Sequence, residues 1–283
     1  MFTIVLYNIF YNTIVKERRY MKSLAIGTLK GGVGKTITTF SIAGILAEQG
    51  NKVLIIDADP QANITSDFRI DETQKGFVGL AEVLEEEINP AKVVKQGVIE
   101  ASPSLDIIPS CVLLTGTEMR LVGLAGRELI LKNYLKKNKD FFNQYDYIVF
   151  DTNPSMGIIN QNVFVAVDSI VLVSDINMNS FKGTELFIAL WDDIAERLGI
   201  DNKIKGFLIN NFDNRIKLSK EFLEFCQNNE TTKGIIFDNY IVSNVTLKES
   251  ELNNRPINIL DKESSGCKCY KNLIEEMRKR GIL

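Results

Sequence analysis

Apolar residues fall along this chain in two alternating patterns. Short, nearly continuous β-branched runs occur at 24–27, 53–56, 105–108, 147–150, 170–173, 204–209 and 234–237. Longer stretches between them carry apolar residues at three- and four-residue spacing: 35–49, 127–137, 157–167, 184–198 and 218–227. The uninterrupted runs predict strands buried on both faces, and the helical spacing predicts helices that cover them. Gly50-Asn51 supplies a stop for the first helix. The alternation predicts an α/β fold, a doubly wound, mostly parallel sheet flanked by helices, with ligands at the carboxyl ends of the strands. No linker rich in Pro, Gly or Ser divides residues 21–283, which read as one domain.

The first twenty residues do not fit that alternation. FTIVLYNIFYNTIV is apolar and KERRYMK follows it, the reverse of the charge order in a secretory signal. The run is also shorter than the ~20 residues of a spanning helix. A peripheral anchor, an extra edge strand and an extension upstream of a start at Met21 all fit. We favour the extension, because the chain enters a core strand directly from Met21. No later stretch is long and apolar enough to cross a bilayer.

Composition narrows the chemistry. The 283 residues are 45% hydrophobic and 24% charged, as in an ordinary globular protein. There is no histidine, which excludes Ser-His-Asp and Cys-His catalysis and imidazole metal sites. Cys111, Cys226, Cys267 and Cys269 form no CxxC pair. They read as reduced cytosolic thiols, with metal binding by the Cys-Lys-Cys pair the lesser alternative. Net charge is −3, but from Asp201 onward 14 basic residues face 12 acidic ones. A nucleic-acid surface would therefore be local and lie in the last third.

The sharpest motif follows the first strand: Lys30-Gly31-Gly32-Val33-Gly34-Lys35-Thr36, entering a helix. The phosphate-loop pattern G-x-x-x-x-G-K-[ST] asks for glycine at position 29, where this chain has Leu29, so the loop is a variant. Gly31, Gly32 and Gly34 let backbone N–H groups wrap phosphates, and the helix N-terminus adds partial positive charge. Lys35 reaches the outer phosphates, and the Thr36 hydroxyl is a ligand for Mg²⁺. The second strand ends in Asp57-Ala-Asp59-Pro-Gln-Ala-Asn63, the fourth in Asp151-Thr-Asn-Pro-Ser155. An apolar strand ending in an acid is the Walker B arrangement, which assigns Asp151 to Mg²⁺ through a water shared with Thr36. Without histidine, a carboxylate beside the metal is the natural group to orient water.

KGGVGKT resembles the deviant Walker A motif of the ParA/MinD ATPases, and DADPQAN resembles the ParA switch more than that of MinD. The resemblance runs from Met21 to the C-terminus and implies a P-loop NTPase fold that takes ATP and Mg²⁺. It makes Lys30 the signature lysine that reaches a dimer partner's nucleotide, Asp59 the group that positions the attacking water, and Asp57 a support for Mg²⁺ and that lysine. ATP contacts are implied for residues Lys30 to Ile37, for Asn210 in the strand and loop beside the adenine, and for Asn244 at the base.

Departures occur at Ile37, where the family often has Thr, and at Val242, Ser243 and Thr246, where it has Pro and two Arg. The latter moves the DNA surface to Lys217, Lys220, Lys248 and Arg255, each of which reads equally well as a solvated surface charge. No helix-turn-helix precedes the core, as in the short, Soj-like type. The expected function is plasmid or chromosome partitioning in the cytoplasm, on the nucleoid: an ATP-closed homodimer on nonspecific DNA, released by a ParB-like partner that stimulates hydrolysis.

Two other readings stay open. One is a MinD-like membrane-associated or protein-cargo positioning ATPase. Against a membrane role, Glu275 and Glu276 dilute the basic face of the C-terminal helix, which reads as core-docking. The other is an iron–sulfur ATPase, for which the cysteines do not fall beside the switch motifs.

Overall fold

The computed structural model describes residues 21–283 apart from Glu100 and Asn254; the 1–20 extension lies outside the described residues. The elements follow in order as β1 (Lys22–Gly27), α1 (Lys35–Glu48), β2 (Val53–Ala58), α2 (Asn63–Asp67), α3 (Leu80–Glu86), α4 (Pro90–Val93) and β3 (Leu105–Ile108). Then come α5 (Leu114–Leu121), a 3₁₀ turn (Arg127–Leu129), α6 (Ile130–Lys137), α7 (Lys139–Phe142), β4 (Tyr147–Thr152), α8 (Ile158–Ala166), β5 (Ser169–Ser174) and α9 (Met178–Leu198). The chain ends with β6 (Ile204–Ile209), α10 (Lys217–Asn228), α11 (Val245–Asn253), α12 (Ile257–Leu260) and α13 (Ser265–Lys279).

The six strands form one parallel sheet in the order β3-β2-β4-β1-β5-β6. Crossovers put helices on both faces, and each face buries its own core. One core packs α8 and α9 around Phe164, Phe187 and Trp191, whose rings meet edge to face at 5.2 and 6.0 Å. The other packs α1 against α13 through Phe40, Tyr270, Leu273 and Met277. Helix α1 is buried on nearly every side, its threonines and Ser41 included, as a helix held between a sheet and an outer helix must be. The Thr38 hydroxyl meets Tyr270 Oη at 3.0 Å and pins α13 onto it. Helix α13 is thus a core-docking element, as its diluted basic face suggests. Among the described residues no helix is long and apolar enough to cross a membrane.

The structure corrects two expectations. Residues 234–237 form no named strand; only Ile236 bridges Phe207, beyond the β6 edge. The ladder is interrupted where Asp238 and Asn239 N–H both donate to the Glu276 carboxylate at 2.9 Å, and pairing resumes at Ile241, whose N–H donates to the Ile209 carbonyl at 3.0 Å. Helix α9 begins at Met178, ahead of the expected 184, because Asn177 caps it by accepting from the Asn179 N–H at 2.8 Å.

Glu276 holds that edge by charge as well. It also accepts from Asn239 Nδ2 at 2.7 Å and pairs with Arg280 at 2.5 Å. Burial alone would raise its pKa, but the hydrogen bonds and then Arg280 hold it below the usual glutamate range. A carboxyl depressed in the folded state stabilises above its unfolded pKa, and that contribution is lost as pH falls through the folded value. Glu276→Gln is therefore expected to cost about 1–2 kcal/mol at pH 7. Urea titrations should show the gap to wild type closing as the medium is taken below about pH 4.

Candidate functional site

Parallel strands end on one edge, and here that edge gathers the chemistry. Asp57 and Asp151 lie directly opposite in the β2–β4 register, and Ile26 of β1 opposes Asp151 from the other side. The loop leaving β1 therefore opens beside both acids, where strand order changes direction.

The loop is shaped by Gly32 at φ +77 and Gly34 at φ +93, a region L side chains rarely enter. A Cβ on Gly34 would overlap the Asn210 side-chain amide, which donates from Nδ2 to the Val33 carbonyl at 2.8 Å. Asn210, expected beside the adenine, thus braces the loop from the end of β6. Gly34 offers no side-chain cap, so the first amides of the 14-residue α1 stay available to an anion. Lys35 is buried, with only 7% exposed. Burial lowers its pKa, and Asp151 and then Asp59 oppose the shift.

The carboxylates are tethered by hydroxyls. Asp151 accepts from Thr36 Oγ1 at 2.9 Å and from Thr39 Oγ1 at 3.2 Å. Burial and the nearby Asp57 push its pKa up to about 8, against the pull of Lys35 and Thr36. Asp57 accepts from the Thr65 N–H at 3.0 Å, from Thr65 Oγ1 at 2.7 Å and from the Asp59 N–H at 3.1 Å. Burial still raises it to about 6. Asp59 accepts from the Gln61 N–H at 2.8 Å. Ala62, next along, stands at φ +52, a strained value for a residue with a Cβ and a common mark of switch segments.

Three acids and two threonine hydroxyls around one lysine are hard oxygen donors, suited to Mg²⁺. Among the described residues no three His, Cys, Asp or Glu side chains form a ready-made cage.

Other sequence candidates fall differently. Lys30 Nζ lies 3.5 Å from both carboxylate oxygens of Asp175, just past β5. Ile37 is buried in the core under α1. Asn244 accepts from the Thr246 N–H at 2.8 Å and donates to Ser265 Oγ at 2.6 Å, so its amide ties α11 to α13. Lys217 pairs with Glu221 at 3.0 Å on α10, where Lys220 is exposed. Arg255 is exposed after α11, and the side chain of Lys248 lies outside what is described. The four basic candidates are thus divided between α10, which carries Lys217 and Lys220, and the α11 region, with Lys248 on the helix and Arg255 just beyond it. All four cysteines are free thiols, and Cys111, Cys226 and Cys267 are buried.

Thr39, Thr65 and Asp175 escape the sequence reading. Thr39 sits three residues after Thr36, on the same helix face, a signal that was there to be read. Thr65 also accepts the Ser110 N–H at 2.8 Å and so ties the β2 exit to the β3 exit, a long-range contact without a local pattern.

Gly34→Ala should cost more than its backbone strain, because the new methyl meets Asn210. With Asn210→Ala beside it, the cost should fall to the strain alone, about 1–2 kcal/mol. A double-mutant cycle by urea unfolding measures the difference, and additive effects would contradict this packing.

A family model described as an AAA domain matches residues 21–205. The sporulation initiation inhibitor protein Soj of Bacillus subtilis is 31% identical over 260 residues, 92% of this chain and 99% of Soj. The chromosome partitioning protein ParA of Myxococcus xanthus is 30% identical, over 91% of this chain and 88% of its own length. A plasmid partition protein of Borrelia burgdorferi B31, bound to AMPPNP, superposes with a TM-score of 0.76 at 25% identity, covering 92% of this chain and all 100% of its own. With its parallel sheet, its variant phosphate loop and these relatives, the chain belongs to the ParA/Soj family of partitioning P-loop ATPases.

Proposed function

We propose that this chain is an ATP-gated, self-pairing ATPase that segregates DNA. The observation that carries the reading is the bond from Thr36 Oγ1 to Asp151 at 2.9 Å, with Asp57 opposite Asp151 on the neighbouring strand. It sets a metal-binding hydroxyl and two acids beneath a loop built for phosphates. ATP lies with its phosphates along the amides of Gly31 to Thr36, Lys35 at the outer phosphates and the Ile37 backbone beyond. The family resemblance gives Asn210 and Asn244 to the base, a role in which each amide would exchange its bond to Val33 or to Ser265 for one to the nucleotide. Thr36 and Asp151, backed by Asp57, hold Mg²⁺, which when bound draws charge from the phosphate oxygens. Asp59, steadied by the Gln61 amide, orients water and receives its proton. Lys30 of each subunit serves the other's nucleotide, neutralising charge as it develops.

In the paired state, Lys217, Lys220, Lys248 and Arg255 contact DNA phosphates without sequence preference. Doubling a weak surface turns it into a switchable one. A ParB-like protein at a centromere stimulates hydrolysis and releases the pair from the nucleoid. The setting is cytoplasmic, without stable membrane association.

In low salt with ATP and Mg²⁺, wild type should be retained on DNA of arbitrary sequence, and retention should fall steeply as salt rises. Lys35→Ala should abolish it. Retention by that variant, or none by wild type, counts against the reading, and sedimentation with anionic liposomes instead of DNA favours a membrane role. Asp59→Ala should still associate in ATP while hydrolysing it at least ~10²-fold more slowly, as loss of a general base entails. A phosphate-release assay checks the second half, and near-normal turnover would remove Asp59 from its role.

A further inference from the structure

The fold holds Lys30 in its own subunit. The ammonium group sits 3.5 Å from each oxygen of the Asp175 carboxylate, with the two side chains 35% and 28% exposed. Asp175 is fixed in turn. Its Oδ1 accepts from the Ser180 hydroxyl, and its carbonyl accepts from Ser174 Oγ and from the Asn177 N–H, both at 2.9 Å. The acid is therefore anchored between the end of β5 and the first turn of α9, the 21-residue helix. Ser180, in that turn, is 1% exposed. Strands β1 and β5 are neighbours in the sheet, which brings the loop after β1 beside the residue that follows β5.

We infer that Asp175 is a positioning residue that latches Lys30 in the resting subunit, and that nucleotide-driven pairing must break this ion pair. The inference rests on the reading that Lys30 serves a partner's nucleotide. An amine held between both oxygens of its own Asp175 is not extended toward another subunit, so the two placements exclude each other. The half-exposed setting makes the latch weak, as a switch should be. Pairs of this kind shift an equilibrium by about two- to fivefold. Two latches open per dimer, so their removal tightens pairing about four- to 25-fold. A triphosphate carries several negative charges to the single charge of Asp175, which gives the lysine a better site once a nucleotide-loaded partner arrives.

Two measurements test this on the full chain, in wild type, Asp175→Asn and Ser180→Ala. The first is trace labelling of Lys30 with acetic anhydride in the nucleotide-free protein, quantified by peptide mass spectrometry. The second is sedimentation of each protein across concentration in ATPγS and Mg²⁺. Asp175→Asn should label at Lys30 about two- to fivefold faster and should pair at about four- to 25-fold lower concentration. Ser180→Ala should move both readouts in the same direction by less. Equal labelling of Lys30 overturns the latch, and so does faster labelling with unchanged pairing. If wild type and variants all stay monomeric in saturating nucleotide, the dimeric reading fails and the latch with it, whereas normal pairing of wild type with an indifferent variant removes the latch alone.

Discussion

The hydrogen bond from Thr36 to Asp151 joins the first turn of α1 to the end of β4, and the site depends on it. It requires β1 and β4 to be neighbours, and the register places Ile26 opposite Asp151. It also requires α1 to start where Gly34 can turn into the left-handed region. Both conditions follow from a sheet whose strands run parallel and end together. Asp57 reaches the same place because β2 flanks β4 on its other side. The acids are buried in a region where charge is costly, so they persist only with hydroxyl and amide donors and a cation at hand.

Much of this was legible in the residues. Continuous apolar runs gave six strands their places, since a strand covered on both faces has little polar content to hide it. Gly34, Lys35 and Thr36 announced themselves because a phosphate loop needs those residue types at that spacing. The run at 234–237 reads as a seventh strand on the same pattern, yet the Glu276 carboxylate takes the Asp238 and Asn239 amides and interrupts its ladder. That contact joins positions far apart in sequence, which no local period records. The beginning of α9 was hidden by Met178, Asn179 and Ser180, which lack an apolar period, although Asn177 is a good cap.

The same distinction applies within the site. Residues that meet a ligand through a fixed local geometry are visible in a motif. Those that hold the motif in place are not, as Thr65 shows, and Asn210, named from the resemblance as a nucleotide contact, turns out to brace the loop instead. Thr65 steadies Asp57 and receives the Ser110 amide from the next strand's exit. Asn210 fills the space that Gly34 leaves open. Asp175 belongs with them: nothing in its surroundings in sequence points to Lys30, and only the adjacency of β1 and β5 brings the two together.

Within the single subunit, Gly32 and Gly34 shape the phosphate loop and Lys30 is turned onto its own Asp175, and we propose that a loaded partner draws it away. A crystal structure of the full chain with AMPPNP and Mg²⁺ tests this most directly. It should show the triphosphate along Gly31 to Thr36, Thr36 and Asp151 at the metal, and Lys30 withdrawn from Asp175 onto the nucleotide of a facing copy. A phosphate loop without nucleotide, or a loaded loop with Lys30 still on its own Asp175 and no facing copy, would contradict it.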